Sequence, residues 1–104
     1  MYIIFKKQKR DSLEVPFYFE KYPASDEYKS YFQTNFISTK KFILHEVNYS
    51  DDKLTIINKL VWASREAFLD YASDAFCYDT IIIPSRLHDL ENNILTEITI
   101  ERTS

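Results

Sequence analysis

Glycine is missing from the sequence altogether. Phosphate-cradling loops of the GxGxxG or GxxxxGK kind need a backbone without Cβ beside the phosphate, so nucleotide binding by the common routes is excluded. Turns fall instead to Asn, Asp and Ser, which cluster at residues 9–12, 49–53 and 91–93. One cysteine, Cys77, leaves no intrachain disulfide and no thiolate zinc site, and no metal or other cofactor is expected. No base adjoins Cys77 in sequence, so it reads as a packing residue at a helix end. No run of about 18 apolar residues occurs, which excludes a membrane-spanning helix. The opening MYIIFKKQKR carries its charges after its short apolar run, the reverse of a secretory leader, so a cytoplasmic protein is expected. A formal net charge of −3 gives no general attraction to nucleic acid or anionic lipid. Lys6, Lys7, Lys9 and Arg10 form a local basic cluster, read as a solvated strand end and turn.

What is present is apolar and aromatic. The 104 residues are 45% hydrophobic and 16% aromatic, with eight Phe and eight Tyr, enough to build a core in one domain spanning residues 1–104. The bias toward Ile, Lys, Phe and Tyr is that of an A/T-rich coding sequence, as in many phages and some marine bacteria.

The chain is organised around LTIINKLVWASREAFLDYASDAF, residues 54–76. Leu54, Ile56, Leu60 and Trp62 share one face at period two, while Ile57 and Val61 share the other with Thr55 and Lys59. After Trp62 the period becomes helical, with Phe68, Tyr71, Ala72, Ala75 and Phe76 on one stripe. Ser64 is the expected N-cap, and Glu66 puts a negative charge where the helix dipole favours one.

Before this stretch, residues 2–8 read as a strand. LEVPFYFE, residues 13–20, is at most an edge or irregular segment because Pro16 cannot donate to a ladder, and it is left out of the core. Pro23 and Ser25 announce a helix over residues 26–35, with Tyr28, Tyr31, Phe32 and Phe36 as its apolar stripe. Residues 42–49 form a strand with Ile43, Val47 and Tyr49 on one face and Phe42 and Leu44 on the other. A four-residue type I loop then leads directly into the next strand. In residues 81–93 three isoleucines run into Pro84, and at most a helical turn is expected. The last strand, residues 94–101, turns Ile94, Thr96, Ile98 and Ile100 one way and Leu95, Glu97, Thr99 and Glu101 the other.

The elements therefore read β-α-β-β-α-β. This is the order of a ferredoxin-like α+β fold, an antiparallel sheet with two helices on one face. Central strands apolar on both faces would leave the open face of such a sheet too greasy for a monomer, which points to a homodimer.

The run VWASREAFLDYASDAF is similar to the strand-to-helix signature of the dimeric α+β barrel superfamily, most closely its antibiotic biosynthesis monooxygenase-like domains, which include haem-degrading monooxygenases. The resemblance implies a homodimer whose two sheets form a barrel, each subunit keeping a pocket between sheet and helices. It does not carry the haem-cleaving residues. The family's active-site Trp falls on Tyr71, its His near Thr80 and its first-strand Asn near Lys7, and residues 11–23 are an insertion relative to the pattern.

Candidate pocket residues are His45, Trp62, Tyr71, Tyr78 and His88, each with a packing role as the default reading. His45 shares a strand face with Val47. His88 neighbours Asp89, but sequence neighbours do not face each other on a helix. Asp79 could join Tyr71 and Tyr78. No acid–base pair stands out, so no catalytic residue is assigned. Two function classes follow: a pocket protein for a small apolar or aromatic ligand, extending to a cofactor-free oxygenase of an electron-rich aromatic substrate, and a non-enzymatic dimeric module for binding or assembly.

Overall fold

The central strand β1 (Tyr2–Lys9) pairs antiparallel with β3 (Thr55–Trp62) on one side and with β4 (Leu95–Arg102) on the other. β2 (Phe42–Tyr49) lies outside β3, so the order is β2-β3-β1-β4. The structure is a computed structural model and describes residues 1–102. With helices inserted between β1 and β2 and between β3 and β4, this is the ferredoxin-like α+β arrangement the periodicities lead one to expect.

The register sets four rows of side chains under the helices. Tyr2 faces Trp62, which faces Phe42; Ile4 faces Leu60, then His45; Lys6 faces Asn58, then Val47; Gln8 faces Ile56, then Tyr49. Phe42 thus joins the helix-covered face, contrary to its expected pairing with Leu44. The cause is a bulge between Phe42 and Leu44, which inserts Ile43 and breaks the alternation once.

Helix α1 is short (Tyr18–Lys21), and α2 (Asp26–Phe32) starts where expected, with the Ser25 hydroxyl accepting from the Tyr28 N–H at 3.1 Å. α2 runs into a widened π-type turn, Gln33–Ile37, which brings Phe36 into the core beside Phe32. Ser64 caps α3 (Arg65–Ala72) through the Ala67 N–H at 3.1 Å. The expected single second helix is broken at Ser73. Asp74 then starts α4 (Ala75–Cys77), accepting from the Cys77 N–H at 3.0 Å. Residues 81–93, expected to hold one helical turn, are instead largely helical. A second π-type turn, Tyr78–Ile82, precedes α5 (Ile83–Glu91), and Pro84 sits in the first turn of α5 where its missing N–H costs little.

The segment between β1 and α2 overturns its expected exclusion from the core. Phe17 is fully buried against Ile56 and Ile94, forming a second apolar cluster apart from the one around Trp62. Arg10 holds it in place and is itself buried, not solvated. Its guanidinium donates to the carbonyls of Lys53 and Val15 and to Glu20 Oε1 at 2.8 Å, and lies 4.3 Å from the Phe17 ring centre. Sequence could not pair Arg10 with a carbonyl 43 positions away.

Without glycine, three of the described residues take left-handed backbone: Lys40 (φ 61°), Lys53 (φ 60°) and Asn93 (φ 55°). Lys53 closes the β2–β3 turn, its N–H donating to the Ser50 carbonyl at 2.9 Å. The face of the sheet away from the helices carries Ile57, Leu44 and Leu95 in partly exposed positions, interleaved with charged residues.

Arg10→Ala should cost about 3 kcal/mol, because it strands two carbonyls and a carboxylate. Burial works against ionised Glu20, but hydrogen bonds from the Phe17 N–H and the Tyr49 hydroxyl, with the Arg10 charge, hold its pKa below the ordinary glutamate value. A depressed folded-state pKa stabilises above the unfolded value and loses that contribution as pH falls through the folded one. Urea titrations from pH 7 down to 3 should show an acid loss of stability that Glu20→Gln reduces; an unchanged profile in that variant would contradict the assignment.

Candidate functional site

The two apolar clusters do not meet. Between them, bounded by the covered face of the sheet and the helices above, lies a cavity of about 430 Å³. Its floor is the middle of the side-chain rows: Trp62 and Phe42, Leu60 and His45, Lys6, Asn58 and Val47, and Gln8. Tyr28, Phe32, Phe68 and Tyr71 roof it at one end and Ile81 and Ser85 contribute from the second helical run. Tyr18, Phe19, Tyr22 and Ala24 from the β1–α2 segment wall the other side. His45, Val47, Phe19 and Tyr22 are all exposed, which puts the mouth between the edge strand β2 and this segment.

One end is aromatic. Five ring centres lie within 6.4 Å of Trp62, the nearest being Phe42 at 4.8 Å and Tyr71 at 5.2 Å. Mixed edge and tilted contacts of this kind fix ring orientation as well as bury area. Trp62 is only 2% exposed, and its indole N–H has no acceptor among the described residues. An unmet buried donor of this kind is costly, and it is shut off from solvent. The Tyr28 and Tyr71 hydroxyls are 3.1 Å apart. Burial pushes both phenol pKa values up, Tyr28 far more, so both stay protonated and one hydroxyl donates to the other.

The other end is polar and is wired across all four strands. His45 Nε2 donates to Asn58 Oδ1 at 2.9 Å, and Asn58 Nδ2 makes a long 3.5 Å contact to Gln8 Oε1. Gln8 Nε2 donates to Asp89 Oδ2 at 2.8 Å, where the Thr96 hydroxyl also donates at 3.3 Å. The second oxygen of buried Asp89 has no hydrogen-bond partner. Lys6, in the same row as Asn58, has its pKa lowered by burial, partly offset by the Asp89 charge, with Arg86 adding to the lowering.

Of the residues singled out from the sequence, His45, Trp62 and Tyr71 line this cavity. Tyr78 does not, and lies partly exposed in the second π-type turn. His88 is also off the cavity. Its Nε2 donates to the Pro16 carbonyl at 2.8 Å, and its other nitrogen faces the Asn92 amide, so it fastens α5 to the β1–α2 segment. Cys77 is buried, and desolvation with the Asp74 contact pushes its thiol up to about 12, which removes the thiolate a nucleophile would need. Among the described residues no three His, Cys, Asp or Glu side chains gather as a metal site, and no helix is long and apolar enough to cross a membrane.

Lys6, Gln8, Asn58 and Asp89 were missed. The signal was available for the first three. Lys6 and Gln8 continue the period of Tyr2 and Ile4, and Asn58 interrupts Ile56, Leu60 and Trp62, so polar groups stand on a face otherwise built for burial. Asp89 comes from α5 and had no such pattern.

No family model matches the sequence, and no curated protein matches it. The fold does have solved counterparts. A cofactor-independent oxygenase from Streptomyces nogalater aligns over 99% of this chain and 92% of its own, with a TM-score of 0.58 at 14% identity. A dimeric ferredoxin-like protein from an uncultured marine organism aligns over 100% and 93%, with a TM-score of 0.58 at 16% identity. A proposed antibiotic biosynthesis monooxygenase from Deinococcus radiodurans aligns over 100% and 93%, with a TM-score of 0.56 at 11% identity. The chain therefore has the ferredoxin-like α+β fold of antibiotic biosynthesis monooxygenase-like proteins.

Proposed function

We propose that the protein is a homodimer in which each subunit binds a compact aromatic molecule between sheet and helices, and that it acts on that molecule as a cofactor-free oxygenase. The cavity carries this reading. Packed interiors leave few voids larger than a water molecule, and ligand clefts run to about 300–1,000 Å³. The observed 430 Å³ falls in that range and is aromatic on the walls with a few convergent polar groups.

In an oxygenation without a cofactor, the electrons for oxygen come from an electron-rich substrate. The protein then has to orient the ring, exclude water and offer hydrogen bonds to a substrate oxygen. The rings around Trp62 suit the first two tasks, and the phenol proton left free by the Tyr28–Tyr71 hydrogen bond suits the third. The oxygenase reading is supported by the Streptomyces nogalater counterpart, which is described as a cofactor-independent oxygenase.

Self-association is supported by the open sheet face, where Leu44 and Ile57 are each 40% exposed and Leu95 is 71% exposed, and by a fold counterpart described as dimeric. Light scattering at micromolar concentration should give twice the 12.5 kDa of the chain, with an interface of roughly 1,200–2,000 Å² or more in total. A monomer there would remove the dimer from the proposal.

Trp62 is the sole tryptophan and lines the cavity, so its emission reports occupancy. Titration with a dihydroxynaphthalene should quench it to saturation at one ligand per subunit, and Leu60→Phe, which fills the floor, should weaken the quench. Oxygen uptake should accompany binding. Saturable binding without uptake would favour a non-enzymatic binding module, and no quench at all would refute the cavity as a ligand site.

A further inference from the structure

Lys6 stands in the cavity floor without a counter-ion. Its ammonium makes no hydrogen bond and no ion pair within 4 Å among the described residues, although the residue is half-buried on the covered face of β1. No carboxylate lines the cavity. The acid whose charge acts on Lys6, Asp89, is bonded to Gln8, with one oxygen held by Gln8 and Thr96. That acid is not part of the cavity wall.

Removing an ammonium from water without pairing it is unfavourable, and in a low-dielectric pocket its attraction for an anion is strengthened. The amide of Asn58 flanks it in the same row, bonded only at 3.5 Å through its nitrogen, so it can donate again. Along the strands, Lys6 is four residues from the Tyr2–Trp62 row, roughly 13 Å at the usual strand rise. That spacing suits a two-ring aromatic with a charged group at one end.

Resting on the reading of the cavity as a ligand site, we propose that its ligand is an aromatic carboxylate, seated with the carboxylate on the Lys6 ammonium and the ring against Trp62. The site is polar in a fixed sense: the anion lies deep beside β1 and the ring lies among Phe42, Phe68 and Tyr71.

The test compares 2-naphthoate with 2-naphthylmethanol, which keeps the ring and lacks the charge, by quenching of Trp62 emission in the full-length protein. The wild type should bind the carboxylate at least tenfold more tightly than the alcohol. Lys6→Met should abolish that preference, while Lys6→Arg should keep it. Equal binding of the two probes to the wild type, or a preference that survives in Lys6→Met, overturns the proposal while leaving the cavity as a ligand site. Binding of neither probe overturns both. Lys6→Met replaces a half-buried amine by an apolar chain of similar length and should fold; the wild-type comparison decides the matter even if it does not.

Discussion

The pairing of β1 with β3 is the constraint on which everything else depends. Side chains alternate faces along a strand, so a slip of one residue would send Tyr2, Ile4, Lys6 and Gln8 to the open side and bring Ile3, Phe5 and Lys7 under the helices. In the register observed, Tyr2 meets Trp62 at one end and Gln8 meets Ile56 at the other. The first contact anchors the aromatic cluster under α3. The second anchors the cluster around Phe17. What lies between the two anchors is the polar pair Lys6 and Asn58, and neither cluster extends over it. The cavity lies where polar residues interrupt an apolar face.

Much of this architecture was legible because it is local. The change of period at Trp62, the caps at Ser25 and Ser64, and the alternation of the last strand each depend on residues within a few positions of one another, and each is found where the pattern puts it. What was illegible depends on distant partners. Phe17 is core only because Arg10, Glu20 and the Lys53 carbonyl fold its segment back over the end of the sheet. Phe42 changes face through a single bulge. Pro84 looked like a stop and is instead tolerated in a first helical turn, next to a widened turn that precedes it. The lack of glycine is absorbed by two lysines and one asparagine in left-handed backbone, of which only asparagine is a usual occupant.

The candidate site divides in the same way. Trp62, Tyr71 and His45 could be named from the strand and helix patterns, and they line the cavity. The polar relay from His45 through Asn58 and Gln8 to Asp89 and Thr96 draws on all four strands and α5, so no single stretch announces it. Such a relay inside a small domain must be well satisfied to be tolerated. Its one unmet member is the second Asp89 oxygen, while outside the relay the Lys6 ammonium lines the cavity without an ion-pair partner among the described residues. The cavity therefore has a direction, aromatic at one end and cationic at the other.

That directionality is best tested by a crystal structure with 6-bromo-2-naphthoate, whose bromine can be located by its anomalous scattering independently of the ring. The account predicts the bromine beside Phe42 and Trp62 and the carboxylate oxygens on the Lys6 ammonium, with the probe enclosed between sheet and helices. Bromine at the Lys6 end, or bound only on the open face of the sheet near Ile57, would contradict it.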